Sequence, residues 1–359
     1  MKRILCILSS LDAGGAETFL MKIYRTLPPE QYQIDFVVSV PNGCYTEEVL
    51  QRGGRIYEIP QRTKNFVGAF RGVKSVVKEN GYDTVLKLGE NSLSVADLMA
   101  AKLGGARVLA LRACNAPTGL SLKARLIHRL FRPLLNGTAT VKLAPSDLAA
   151  AFMFGKKKQV NLLHNGVDLK QYHYDEAGRQ RIREEFALGE KTVVGHVGRF
   201  QYQKNHAFLI DIFAQIKALR DDAVLVLVGT GDLEPMLREK IREKNLEASV
   251  IFTGLRFDVP QLLSAMDVFV FPSFFEGMPN TVIEAQAAGL PCIIADTITH
   301  EADITGLVEY LSLEQTAQDW AQKALAAAEK ERVDTTGDFL EHGYDMEAVA
   351  RKFLQLLGC

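Results

Sequence analysis

Short apolar runs, each bounded by glycine, proline or charge, recur along the chain with longer amphipathic stretches between them. Short apolar runs predict buried strands, and apolar residues spaced by three and four predict helices. Strands are expected at 2–9, 34–40, 55–59, 84–88, 107–112, 141–144 and 160–163, and again at 192–197, 223–229, 250–253, 268–271 and 292–295. Helices are expected at 16–27, 46–53, 66–80, 91–103, 204–219, 233–245 and 259–266, with 314–330 and 346–357 closing the chain. Strand and helix in alternation predict an α/β protein with parallel, doubly wound sheets. The alternation restarts after the polar turn His164-Asn165-Gly166-Val167-Asp168, so two Rossmann-like domains facing a central cleft are expected. We assign 1–170 to the first and 171–345 to the second, with the helix at 346–357 packing back on the first. A length of 359 residues suits two domains.

Charge changes this picture more than composition does. The net charge is −1, but residues 1–170 carry 24 lysines and arginines against 13 aspartates and glutamates, a surplus of 11, while the rest carries 18 against 30. A basic half points to phosphate-rich or membrane partners. Its most suggestive stretch holds Lys123, Arg125, His128, Arg129 and Arg132 among Leu122, Leu126, Ile127, Leu130 and Phe131, and a Lys156-Lys157-Lys158 run follows. That is a basic amphipathic helix. It either lies on an anionic membrane or packs its apolar stripe on its own domain with the charges in water. The apolar opening run is too short for a secretory signal, and no run approaches a membrane span. Five scattered cysteines suggest a reducing, cytoplasmic setting. No Cys/His spacing suits a structural metal.

The candidate chemistry gathers in residues 273–296, SFFEGMPNTVIEAQAAGLPCIIAD. A strand runs into a loop with Glu276, Gly277, Met278 and Pro279, and a helix then opens at Asn280-Thr281 and carries Glu284. A helix start after a strand offers backbone N–H groups and a positive dipole end to an anion. Upstream, Gly198-Arg199 at a strand end and Lys204 five residues after the arginine can put a planar fork and a point charge on one diphosphate. This is not the Walker phosphate loop, whose spacing is absent. In the first half, Gly14-Gly15 lies between strand and helix, and Arg112-Ala113-Cys114-Asn115 ends another strand.

Together, Gly198-Arg199…Lys204-Asn205, the run from Phe275 to Ala285, Gly289-Leu290-Pro291, Asn165-Gly166-Val167-Asp168 and Gly14-Gly15-Ala16-Glu17 resemble the signatures of retaining glycosyltransferases of the GT-B fold, sequence family four. Within it the chain is most similar to bacterial capsular and exopolysaccharide enzymes. The resemblance implies that Arg199 and Lys204 bind the diphosphate of a nucleotide-sugar, that of a UDP-sugar above all. It implies that Glu284 accepts from the ribose hydroxyls and Glu276 faces the donor sugar. Backbone N–H groups around Met278, Pro279, Asn280 and Thr281 would cover sugar and phosphate. The loop with Arg256 would lie along the nucleobase, and the Gly14-Gly15 loop would close from the other domain. No metal or other cofactor is implied. Where relatives place a histidine near the reacting centre, this chain aligns Cys114. Glu17, Arg112, Cys114 and Asn115 are therefore the acceptor-side candidates, with His128 and His164 as alternative histidines.

The expected activity is transfer of a sugar from a nucleotide donor to a saccharide, lipid-linked, at the inner face of the cell membrane. Two other readings stand beside it. One is a nucleotide-sugar epimerase or phosphorylase on the same fold, and the other is a non-catalytic nucleotide-sugar-binding protein. Nucleic acid is not an expected partner, because no stacking motif or recognition module accompanies the basic half.

Overall fold

The computed structural model describes residues 1–12, 14–114, 121–156 and 159–359. The chain divides into two compact units, residues 1–166 with 346–359, and residues 167–345.

In the first unit the strands are β1 (Lys2–Ile7), β2 (Tyr32–Val38), β3 (Ile56–Glu58), β4 (Thr84–Gly89), β5 (Val108–Ala113), β6 (Val141–Ala144) and β7 (Asn161–Leu162). Helices α1 (Gly15–Thr26), α2 (Thr46–Gln51), α3 (Phe66–Asn80), α4 (Val95–Gly104), α5 (Leu122–Thr138) and α6 (Asp147–Phe154) connect them. Among the described residues the sheet is parallel and ordered β3-β2-β1-β4-β5-β6-β7. Side chains alternate across it. Ile4 and Cys6 of β1 pack with Phe19, Leu20 and Ile23 of α1, while Leu5 and Ile7 pack on the other face with Val73 and Val77 of α3 and Leu98 of α4. Covered by helices on both faces, β1 is apolar and buried from Ile4 to Ile7 and shows no polar alternation there.

The second unit carries β8 (Val193–Val197), β9 (Val224–Val228), β10 (Val250–Gly254), β11 (Val268–Phe271), β12 (Cys292–Ala295) and β13 (Val308–Leu311). Its helices are α7 (Leu169–Tyr172), α8 (Glu176–Glu185), α9 (His206–Leu219), α10 (Glu234–Glu243), α11 (Val259–Ala265), α12 (Asn280–Ala287), α13 (Ala317–Ala328) and α14 (Thr336–Glu341). Here the parallel order is β10-β9-β8-β11-β12-β13. The final helix, α15 (Met346–Leu356), belongs to the first unit and packs Met346, Val349, Ala350 and Phe353 into the core that α1 covers.

Each sheet reverses its winding once, between β1 and β4 in the first unit and between β8 and β11 in the second. In doubly wound sheets a ligand sits beyond the carboxyl ends of the strands at that reversal. Those carboxyl ends follow β1 and β4 in the first unit and β8 and β11 in the second.

Several elements depart from the sequence expectation. The helix expected from Lys204 begins at His206, because Asn205 takes a left-handed conformation (φ 53°) that separates a short 3-10 turn at 202–204 from α9. Strand β13 reads Val-Glu-Tyr-Leu and lies at the sheet edge, where a mixed pattern gives little apolar signal. Helix α6 is apolar on nearly every side, so it shows no helical period.

Candidate active site

The second unit builds its site from two loops at the sheet reversal. After β8 the chain turns at Gly198, whose N–H donates to Val228 O at 2.9 Å. Gly229 lies directly beneath with φ 137°, and a β-carbon there would stand 2.2 Å from Gly198 O. Only glycine permits that approach. The buried Phe200 ring anchors the far side of the turn, leaving Arg199 exposed between two fixed points. Lys204 follows in the 3-10 turn, with its stem against Gly198.

After β11 comes the loop with Glu276. It is clipped to the first loop: Phe274 N donates to Gln203 O and Gln203 Nε2 to Phe275 O, both at 2.9 Å, and the Tyr202 and Phe274 rings stack at 4.8 Å. Thr297 Oγ1 donates to Ser273 O at 3.0 Å from the next strand's loop. The clip brings Lys204 Nζ to 2.7 Å from Glu276 Oε1, in an ion pair whose side chains are only 17% and 9% exposed. The ammonium also stands 4.5 Å from the centre of the Phe271 ring. Two residues assigned from the sequence to one ligand thus meet each other across adjacent strands.

Helix α12 starts at Asn280 behind Pro279, with no side-chain cap, and its head lies on the same loop, where Val282 N and Ile283 N donate to Pro279 O at 3.1 and 3.2 Å. Met278 and Pro279 are buried, and Thr281 Oγ1 is a buried hydroxyl without a hydrogen-bond partner among the described residues. Glu284 lies one turn after Asn280 on the same helix face and is almost wholly buried. Gln286, on another face, holds the helix in register: its Nε2 donates to Ala302 O at 2.7 Å, and its Oε1 accepts from Ile304 N at 2.9 Å and Thr305 Oγ1 at 3.1 Å.

Beneath Lys204 lies a pair that the motif spacing did not single out. His196 and His206 are fully buried, their rings 4.5 Å apart and nearly perpendicular, and His196 stacks on Phe271 at 5.1 Å. His196 Nδ1 donates to Val270 O at 2.9 Å, whereas its Nε2 and both nitrogens of His206 have no partner among the described residues. Burial, followed by the nearby Lys204 charge, pulls His206 down to about 3, and burial likewise drives His196 far below the usual histidine range. Both rings are therefore neutral. The signal was a histidine inside the apolar run Val193–Val197, which only a buried, neutral ring satisfies.

Arg256 is spoken for. It donates to Glu185 Oε1 at 2.7 Å and to Asp258 Oδ2 at 2.7 Å, leaving its neighbours Leu255 and Phe257 as the exposed part of that loop.

In the first unit, Gly14 precedes α1 in an extended conformation, and the Glu17 carboxylate folds back over it so closely that a β-carbon would fall 2.2 Å from Oε2. Cys114, at the end of β5, is held by its N–H to Gly89 O at 3.0 Å. Burial outweighs the lowering effect of the Arg112 charge and, with smaller upward contributions from the Glu17 and Glu90 carboxylates, pushes its thiol up to about 12, which keeps it protonated and a poor nucleophile. Arg112 is buried, and among the described residues no carboxylate pairs with it. Its guanidinium stands 3.6 Å from the Phe19 ring centre and donates to Leu163 O and Asn165 Oδ1, and burial lowers it to about 10. Asn115 lies outside the described residues, as do Lys157 and Lys158. His128 has a framework role: Nδ1 accepts from Ser92 N at 3.1 Å, Nε2 faces Phe152 O at 2.9 Å, and the ring stacks on Phe152. His164 Nδ1 faces Pro145 O at 3.1 Å. Among the described residues no group of three or more His, Cys, Asp or Glu side chains is placed to hold a metal ion.

Two doubly wound units, one with cations, a helix start and buried carboxylates at its sheet reversal, define the GT-B class of sugar transferases. The chain belongs to the family described as glycosyl transferases group 1, whose model matches residues 191–330, and it is a glycosyltransferase. It is similar to EpsF of Bacillus subtilis (strain 168), which carries a provisional glycosyltransferase name, with 36% identity over 361 residues, covering 96% of this chain and 94% of that one. It is also similar to the Escherichia coli UDP-Gal:α-D-GlcNAc-diphosphoundecaprenol α-1,3-galactosyltransferase, at 26% over 302 residues, 79% of this chain and 76% of that enzyme. In fold it resembles Anabaena Alr3699/HepE, solved in complex with UDP-glucose, with a TM-score of 0.79, 20% identity and full coverage of both chains.

Proposed function

We propose that this glycosyltransferase moves a sugar from a UDP-sugar to a lipid-diphosphate-linked saccharide, with retention of anomeric configuration and without a metal, in the assembly of a cell-surface polysaccharide. The observation that carries the reading is the clip between the loops after β8 and β11, which holds Lys204, Glu276 and the start of α12 together, with Arg199 on the same turn. As the glycosidic bond breaks, negative charge develops on the leaving diphosphate. Arg199, Lys204 and the N–H groups at the head of α12 stabilise that charge more than they stabilise the bound donor, and this difference is the source of rate. Those cations take the place a divalent ion would fill. Glu276 and Glu284 accept from donor hydroxyls, and the acceptor's proton passes to the departing phosphate on the face where the new bond forms. The E. coli relative, whose name specifies UDP-Gal and a diphosphoundecaprenol acceptor, and the UDP-glucose complex of HepE support the donor and acceptor classes.

The basic first unit supplies the membrane part of the reading. Along α5, Leu122, Leu126, Leu130 and Leu134 are 82%, 69%, 71% and 46% exposed, beside exposed Lys123, Arg125 and Arg129. The helix packs inward through His128, Leu135 and the half-buried Phe131 instead, so its leucine stripe faces solvent. Apolar side chains flanked by cations suit an anionic leaflet, each cation adding ~1 kcal/mol near the surface.

Replacing Lys204 and Arg199 by alanine tests the catalytic assignment. Transfer, read as released UDP, should fall by about a hundredfold or more, the loss typical of removing a donor to a developing oxyanion. The circular dichroism spectrum should not change. Retained transfer would remove both cations from the mechanism.

A further inference from the structure

We infer that Glu276 has a second task on the proposed donor site: it withholds Lys204 from a nucleoside diphosphate that has lost its sugar, and so distinguishes the loaded donor from the spent one. This rests on the donor reading above and extends it to the selectivity and release steps.

Lys204 and Glu276 stand 2.7 Å apart with little exposure, on loops that are clipped backbone to backbone and side chain to backbone. Neither loop can swing away alone without breaking those bonds. The lysine stem runs against Gly198 and its ammonium lies over the Phe271 ring, so its reach is short. Any anion that recruits Lys204 must share it with Glu276.

A carboxylate only accepts hydrogen bonds, while an ammonium donates three. When an intact nucleotide-sugar binds, the sugar hydroxyls are donors. They can satisfy Glu276 while Lys204 turns part of its donor set to the phosphates, and both members of the pair remain partnered. When a bare nucleoside diphosphate binds, no hydroxyl reaches Glu276. Its carboxylate then loses part of its cation partner and faces an anion that carries one more ionisable oxygen than the sugar-linked form. Leaving a shielded carboxylate under-partnered is costly.

In a purely cationic site the spent nucleotide, being more charged, would bind tighter than the donor and block the next turnover. Glu276 opposes that order. Once the sugar departs, it recaptures Lys204 and loosens the product.

The test is calorimetric titration of UDP into the parent chain, Glu276→Gln, Lys204→Ala and the double variant, each checked for fold by circular dichroism. Glutamine keeps the shape but removes the charge that competes for Lys204. Glu276→Gln should bind UDP about tenfold more tightly than the parent, within the range that coupled pairs show, and the gain should vanish when Lys204 is alanine. If Glu276→Gln binds UDP no better than the parent, the inference fails and the donor reading stands. If the gain persists in the Lys204→Ala background, general repulsion explains it and the pair does not. If the parent does not bind UDP, the donor reading itself fails, and this inference with it.

Discussion

On the proposed donor reading, recognition depends on Lys204 and Glu284, and each has a separate readout. Glu284 is nearly buried at one helical turn from the head of α12, where an acceptor-only group can take both ribose hydroxyls. Glu284→Ala should weaken UDP binding by roughly tenfold to a hundredfold, as expected for hydrogen bonds to a charged acceptor. Unchanged affinity in calorimetry would remove the ribose assignment. The histidine pair gives a pH test. His206 sits at about 3 in the folded chain against an ordinary value of 6.5. Below 6.5 the unfolded chain takes up a proton that the folded chain refuses, so stability is complete above that pH and falls as pH drops toward 3. The slope is ~1.4 kcal/mol per pH unit for each such histidine. Urea unfolding between pH 7 and pH 5 should show a shallower slope for His206→Gln than for the parent, and equal slopes would contradict the buried neutral state. The motif residues were legible because their chemistry needs charge at fixed spacing. The pairing of Lys204 with Glu276 was not, since it depends on which strands are neighbours in the sheet.

At the level of elements, the tight crossing under the β8 turn and the outer face of α5 make opposite forecasts. Gly229→Ala would drive a β-carbon into Gly198 O in a backbone conformation that side chains avoid, so it should cost on the order of 1–3 kcal/mol and displace the turn that carries Arg199. Gly81→Ala, at the left-handed end of α3 with open space around it, should cost stability without changing UDP binding. Melting temperature and UDP titration read together separate the two. In α5, changing Leu122, Leu126 and Leu130 to serine should shift stability by less than about 0.5 kcal/mol each, because the side chains are already in water. The same changes should abolish sedimentation with anionic vesicles, and a parent chain that does not sediment would refute the membrane role. Most strands and helices could be read from apolar periodicity. The face that α5 buries could not, because the polar His128 stands on the inner side and a sequence does not say which of two stripes is buried.

The whole molecule is a basic unit and an acidic unit joined in one chain, each wound so that its strand ends meet at a single reversal. Strand order is what turned separate motifs into one site, and it emerges from packing rather than from any local run of residues. The choice of sugar and of receiving hydroxyl was not legible for the same reason: it belongs to the shape of the assembled lining. The most direct test of the account is an NMR-monitored reaction of the full chain with a UDP-sugar and a diphosphoundecaprenol-linked saccharide, in the presence of a chelator. One UDP should be released per sugar transferred, with an anomeric signal of the donor's configuration, and both should be lost with Lys204→Ala. Inverted product, dependence on a divalent ion, or transfer that survives Lys204→Ala would contradict it.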